Sequence, residues 1–254
     1  MNEIVLEVNG LCKSFGGVLA TDHLDLGVEQ GSIHAVIGPN GAGKTTLINQ
    51  LSGLLSSDDG KIQFNRSDIT NLSAPARAKM GLARTFQITS VFGEFTALEN
   101  VSLAVQAHDG HSFKFWHDAR GDKFLTEPAL EALTIVGLEE RQSIKASLMS
   151  HGERRQLEIA MALATKPKML LLDEPMAGMG PEESLKVVEL LQQLKGKITM
   201  LLIEHDMDAV FSVADRVSVL VYGHVIATGT PSEIRENTEV CSAYLGEHEI
   251  PVAN

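Results

Sequence analysis

The chain has 254 residues, enough to bury one substantial core without metal or disulfide help, and 44% of them are apolar against 21% charged, which excludes disorder and a miniature scaffold. Lys plus Arg number 21 and Asp plus Glu 33, a formal net charge of −12, the wrong overall sign for a chain that wraps nucleic acid. The longest apolar runs, such as Met169 to Leu172 followed at once by Asp173, fall far short of the roughly 20 residues that span a bilayer, so no membrane crossing is expected. The start, Met1-Asn2-Glu3-Ile4, lacks the basic region and apolar stretch of a signal peptide. Cys12 and Cys241 show no metal-ligand spacing, and the chain reads as cytosolic with reduced, structural thiols.

In chain order, Ile4, Leu6 and Val8 alternate with polar residues, as do Leu24, Leu26 and Val28, while Ile62 and Phe64 follow the turn Asp58-Asp59-Gly60. That alternation predicts an antiparallel β layer. Ile33 to Ile37 reads as a strand entering a glycine-rich turn, followed by a helix with Leu47, Ile48, Leu51 and Leu54 on one face. From about Pro75 to Thr165 the pattern is largely helical, with segments near Ala97–Gln106, Glu127–Val136 and Gln156–Ala164, as expected of an inserted helical subdomain. Strands at Met169–Leu172, Thr199–Ile203, Val217–Val221 and Val225–Ala227 then alternate with helices at Glu182–Leu194 and Met207–Val213. Near-continuous apolar strands between helices predict an α/β fold with a parallel sheet covered on both faces. One domain is expected over residues 1–254: the β subdomain with the glycine loop in 1–86, the helical subdomain in 87–165, and the rest of the core with C-terminal helices in 166–254.

Gly38-Pro39-Asn40-Gly41-Ala42-Gly43-Lys44-Thr45-Thr46 fits G-x-x-x-x-G-K-S/T and lies between a predicted strand and a predicted helix. Glycines let successive N–H groups curl around a polyphosphate, the helix N-terminus adds positive potential, Lys44 reaches the outer phosphates and the Thr45 hydroxyl can bind Mg²⁺. The alternative, a glycine-rich turn with a solvated lysine, does not explain the flanking strand and helix. Asp173 and Glu174 close an apolar strand before Pro175, where ligands bind in open α/β sheets. Asp173 suits the Mg²⁺ shell, and Glu174 suits a general base that polarises an attacking water. By themselves the two also fit a polar pair that ends a buried strand.

These segments, with Met149-Ser150-His151-Gly152-Glu153 and Ile203-Glu204-His205-Asp206, resemble the Walker A, Walker B, signature and His-switch motifs of ATP-binding cassette (ABC) ATPases, in the family's order. The resemblance implies a phosphate-loop core with a mixed, mainly parallel sheet, an N-terminal antiparallel β subdomain and an inserted helical subdomain. It implies ATP and Mg²⁺ as ligands, and a head-to-tail dimer in which Ser150, Gly152 and Glu153 touch the γ-phosphate held by a second ATP-binding subunit, identical or not. Ser150 and Glu153 equally form S-x-x-E, a capping box opening a helix, and the two readings are compatible. The segment departs from L-S-G-G-Q at Met149, His151 and Glu153. By the same resemblance Gln87 in Arg84-Thr85-Phe86-Gln87 senses Mg²⁺ and the attacking water, and His205 contacts γ-phosphate. Phe15 matches the aromatic that stacks on adenine, though a Phe in a β layer is also a core candidate. Gly180 stands where many relatives carry an Asp that contacts the partner cassette.

One cassette without a coiled-coil insertion differs from DNA-repair and chromosome-structural relatives, and an unpaired cassette differs from translation factors, in line with no nucleic-acid partner. Asn9-Gly10-Leu11, Ala83-Arg84-Thr85-Phe86-Gln87, Leu98-Glu99-Asn100-Val101, Arg155-Gln156-Leu157-Glu158-Ile159-Ala160 and Ala243-Tyr244-Leu245-Gly246-Glu247 are similar to segments of the ATP-binding subunits of branched-chain amino-acid importers. Urea and amide importers share them, and the lipopolysaccharide-export ATPase is a more distant neighbour. A soluble ABC module acting without a permease is the reading from another class. The importer resemblance implies two membrane permeases, an indirect solute-binding protein and a peripheral place on the cytoplasmic face of the inner membrane. The permease-facing surface would lie near Gln87 to Glu99. The segment His111 to His117, with Trp116, fits either packing in the helical subdomain or that surface.

Overall fold

A computed structural model describes residues 3–85, 90–109 and 123–245. Strands β1 (Ile4–Phe15) and β2 (Val18–Glu29) form a long antiparallel hairpin, and β4 (Asp59–Phe64) and β5 (Ser67–Asp68) extend it in the order β2-β1-β4-β5. Leu6, Val8, Leu11, Leu24, Leu26 and Val28 point inward from the hairpin, as their alternation requires.

The larger sheet has the order β10-β9-β3-β8-β7-β6, where β3 is Ile33–Ile37, β6 Leu82–Arg84, β7 Met169–Asp173, β8 Thr199–Ile203, β9 Arg216–Val221 and β10 His224–Gly229. All its neighbours pair in parallel except the edge pair β9 and β10. The fully buried strands alternate between two cores. Ile33, Ala35, Ile37, Leu170, Leu172, Met200 and Leu202 face α3 (Ala97–Asp109), α4 (Lys123–Ile135), α5 (His151–Ala164), α6 (Pro181–Leu194) and α7 (Met207–Val213). Val36, Met169, Leu171, Leu201 and Ile203 face α1 (Lys44–Ser52) and the antiparallel sheet. Each fully buried aliphatic side chain contributes about 1.5–3 kcal/mol, so the central strands are held from both sides.

Several boundaries differ from the sequence expectation. Helix α1 stops at Ser52 because Gly53 takes a left-handed backbone (φ 78°) whose N–H closes onto Gln50, and Leu54 falls outside the helix and is exposed. The stretch from Pro75 is not wholly helical. It begins with the short helix α2 (Ala74–Lys79) and then gives the sheet β6, a strand too brief for periodicity to mark. Helix α5 starts at His151, where the Ser150 cap of the S-x-x-E box fixes its first turn, as that pattern predicts. Short helices α8 (Pro231–Glu236) and α9 (Thr238–Leu245) end the described chain.

The register sets the site. Val36 and Asp173 both lie level with Ile203, so the C-terminal ends of β3, β8 and β7 reach one edge of the sheet together. On the same central strand His34 is buried, with Nε2 2.8 Å from Ser218 Oγ on β9. Burial, reinforced by the Arg216 charge, pushes its pKa down from 6.5 to about 4. The folded state therefore refuses a proton that the unfolded chain accepts. Stability should fall by about 3 kcal/mol as the pH drops from 6.5 to 4 and then level off. Urea midpoints across that range should lose this slope in a His34→Gln variant.

Candidate functional site

The loop Gly38–Thr46 is wedged between β2 and β9. A methyl group at Gly43 would collide with the Ala20 carbonyl oxygen, and one at Gly38 with that of Leu220. Gly43, at φ 108°, begins α1 without a side-chain cap, and the first turn of α1 carries no acidic residue. The turn's N–H groups and its partial positive charge are thus left for an external anion. Lys44 is buried, and its Nζ donates to Gly38 O (2.6 Å) and Pro39 O (3.0 Å), arching over the loop. Burial lowers the Lys44 pKa, and the negative charge of Glu174 opposes that shift. The ammonium therefore sits between the loop and the carboxylate pair. Thr45, on the first turn, is exposed.

Asp173 ends β7 buried, with Oδ2 accepting from Arg84 Nη2 at 2.8 Å. Arg84 also donates to Asn49 Oδ1 (2.7 Å) and Ser52 Oγ (2.8 Å), so it ties β6, β7 and α1 together. Glu174 holds a left-handed backbone, φ 46°, in a region that disfavours a non-glycine residue. Its N–H donates to Ile203 O (2.9 Å) and its carbonyl accepts from Arg155 Nη2 (2.9 Å). Arg155, 1% exposed, pairs with Glu158 at 2.7 Å. Neither arginine was singled out by sequence reasoning. Their only signal was membership of the segments Ala83 to Gln87 and Arg155 to Ala160. Arg155→Met should cost about 3–5 kcal/mol by removing one partner of the buried ion pair with Glu158. Adding Glu158→Leu should restore most of the melting temperature but not ATP turnover, because the bond to the Glu174 carbonyl stays lost.

His205 follows β8, the strand between β3 and β7, and its ring is 63% exposed. Glu204 beside it is buried: Oε1 accepts from Met176 N (2.9 Å) and Oε2 from His205 N (3.0 Å). Burial raises the Glu204 pKa, against these backbone donors. Glu204 thereby joins the turn after Glu174 to the histidine segment, a role the motif alone did not reveal.

Phe15, at the end of β1, is 52% exposed, so it does not belong to the core; Lys13 Nζ lies 5.7 Å from its ring centre. Ser150 and Glu153 form the full capping box, with Glu153 N donating to Ser150 Oγ (3.1 Å) and Ser150 N to Glu153 Oε2 (2.8 Å). Ser150 Oγ also reaches Glu183 Oε1 at 3.3 Å, Glu153 pairs with Arg141 at 2.9 Å, and the Glu183 carboxylate packs over Gly152. Among the described residues none of these hydrogen bonds goes to the loop Gly38–Thr46. The phosphate loop, Asp173, Glu174 and His205 share one sheet edge, whereas Ser150 and Glu153 cap the start of α5, where Ser150 is exposed and Gly152 is buried. Gln87 and Trp116 lie outside the described residues.

A polyphosphate matches this edge in charge and donors, and the carboxylate pair adds the means to hydrolyse it: fold and site define a phosphate-loop ATPase. A family model described as ABC transporter matches residues 21–177, and another, described as branched-chain amino acid ATP-binding cassette transporter, matches residues 224–250. The chain is 39% identical over 254 residues to the high-affinity branched-chain amino acid transport ATP-binding protein BraF of Pseudomonas aeruginosa, covering 97% of this chain and 100% of that one. LivG of Escherichia coli, a protein of the same description, matches at the same identity and coverage. A solved ATP-binding cassette of an ABC transporter, in its ADP conformation, aligns at TM-score 0.86 and 32% identity over 97% of this chain and 100% of that one. A nucleotide-free cassette aligns at TM-score 0.84 and 32% identity, over 96% and 100%. The chain belongs to the ABC transporter family, as an ATP-binding and ATP-hydrolysing subunit.

Proposed function

We propose that this subunit powers an importer of branched-chain amino acids or closely related solutes, in partnership with a second ATP-binding subunit, two membrane permeases and, indirectly, a solute-binding protein. The observation that carries this reading is the full-length likeness to BraF and LivG, joined to the specific match over residues 224–250.

In this reading the adenine stacks on the exposed Phe15 ring, and the triphosphate lies along the N–H groups of Gly38 to Thr46 with Lys44 at its outer end. Thr45 and Asp173 suit Mg²⁺: both offer hard oxygen donors, and Asp173 Oδ1 takes no hydrogen bond among the described residues while Arg84 fixes Oδ2. Gln87 completes that shell. Bound with ATP, Mg²⁺ supplies charge neutralisation of the phosphates. Glu174 orients and deprotonates the attacking water, and its left-handed backbone, pinned by Ile203 and Arg155, aims the carboxylate. His205, carried on the strand between loop and carboxylates, contacts the γ-phosphate. Ser150 is exposed at the start of α5, which suits this turn, with Gly152 and Glu153, to the nucleotide of a second subunit, so each ATP site would be completed by two chains.

Phe92 and Phe95, both exposed with ring centres 5.5 Å apart, lie between β6 and α3 and supply an apolar contact for the permeases. Among the described residues no helix is long and apolar enough to cross a membrane, and the −12 charge gives no general attraction to anionic lipid. Docking on the cytoplasmic face of the inner membrane therefore rests on such specific contacts. Fractionation tests this: the protein should occupy a salt-resistant membrane pool only when both permeases are expressed, and Phe92→Ser with Phe95→Ser should release it. Recovery in the soluble fraction regardless of permeases, or with nucleic acid or ribosomes, would overturn the reading.

A further inference from the structure

The hairpin of β1 and β2 carries a bulge that gathers three metal-binding side chains. Leu11 pairs with Leu24 and Lys13 with Thr21, so two residues of β2, Asp22 and His23, stand opposite one residue of β1, Cys12. Neighbours in a regular strand point to opposite faces. At His23 the backbone is left-handed instead (φ 45°), and its imidazole turns back to the face of Asp22, with Nδ1 2.6 Å from Asp22 Oδ1. One donor atom each from Cys12, Asp22 and His23 falls within 4.8 Å of the others.

Other details favour a ligand over an incidental cluster. Cys12 Sγ is partly buried and accepts the His23 N–H at 3.3 Å, which holds the sulfur beside the His23 backbone. Asp22 Oδ2 lies 3.0 Å from His224 Nε2, so its carboxylate is oriented from behind, as ligating carboxylates commonly are. Left-handed backbone at a histidine inside a strand is strained, and such strain concentrates at functional sites.

We propose that Cys12, Asp22 and His23 bind a transition-metal ion, with zinc(II) the ion that one thiolate, one imidazole and one carboxylate suit, and with water in the remaining position. In the bound state the ion would take the place of the direct His23–Asp22 contact, and His224 Nε2, 3.0 Å from Asp22 Oδ2, would hold the carboxylate in place. The site adjoins the phosphate loop: Asp22 N donates to Gly223 O at 3.0 Å, and Gly223 N donates to Ala42 O at 2.9 Å. A bound ion would therefore brace the seam between the hairpin and the nucleotide loop. No spacing along the chain announces this site, because β1 and β2 bring its ligands together from separate strands.

Cobalt(II), titrated into the metal-free and nucleotide-free full chain, is the probe. The expected result is one equivalent bound with a thiolate-to-cobalt charge-transfer band, displaced by zinc and retained in Cys241→Ser. Cys12→Ser should abolish the band. His23→Asn, which keeps a residue tolerant of left-handed backbone and does not depend on Cys12→Ser folding, should weaken cobalt binding about tenfold or more. Absence of the band at stoichiometric cobalt, its survival in Cys12→Ser, or unchanged affinity in His23→Asn would overturn the proposal.

Discussion

Replacing Glu174 with Gln should lower ATP turnover by about two to four orders of magnitude while leaving ATP binding intact. The phosphate-binding parts, Gly38 to Thr46 with Lys44, do not depend on that carboxylate for their geometry: Lys44 bonds to Gly38 O and Pro39 O. The backbone of Glu174 is held through its own N–H and carbonyl by Ile203 and Arg155, so the isosteric amide keeps its position. What disappears is the carboxylate proposed to act as the base. Removing a negative charge beside the γ-phosphate should also favour the closed state, and the variant should accumulate as an ATP-bound dimer in size-exclusion chromatography. Steady-state phosphate release from that dimer at the wild-type rate would remove Glu174 from its role.

Lys44→Ala should produce the opposite pattern, with nucleotide binding lost first. A charge-assisted hydrogen bond from a buried ammonium is worth about 1.5–3 kcal/mol, so affinity for ATP should fall about ten- to 150-fold, and dimerisation and turnover with it. The fold should persist, because among the described residues Lys44 Nζ bonds to carbonyls of its own loop. Titration with a fluorescent ATP analogue, beside a thermal melt, separates the two effects. Wild-type affinity in Lys44→Ala would show that the loop binds its ligand without the lysine.

What could be read ahead of the structure was whatever leaves a local mark. The apolar strands Ile33–Ile37, Met169–Asp173 and Thr199–Ile203 announced a sheet buried on both faces, and each proved buried throughout. The glycine pattern around Lys44 marked the loop because its backbone geometry admits few other residues. Phe15 was open between core and ligand stacking from sequence alone, and its exposure decided against the core.

Long-range pairings were illegible. Arg84 meets Asp173 across 89 residues and Arg155 meets Glu174 across 19, and neither separation has a period that sequence could reveal. Strand β6, of three residues, is fixed by pairing with β7 rather than by its own propensity. Glu204 was visible only as a neighbour of His205, yet its carboxylate joins two backbone segments at the site edge. The ligands around Cys12 depend on a bulge, which shifts register by a single residue.

Nucleotide chemistry in this chain should drive solute movement through other chains. The direct measurement reconstitutes the subunit with its two permeases in liposomes, with ATP on the side facing the subunit and solute-loaded binding protein on the other. Uptake of labelled leucine, isoleucine or valine should require ATP, should rise with the binding protein, and should vanish with Glu174→Gln while the complex stays assembled. ATP hydrolysis that ignores both permeases and binding protein, with no amino-acid uptake, would overturn the proposed transport function.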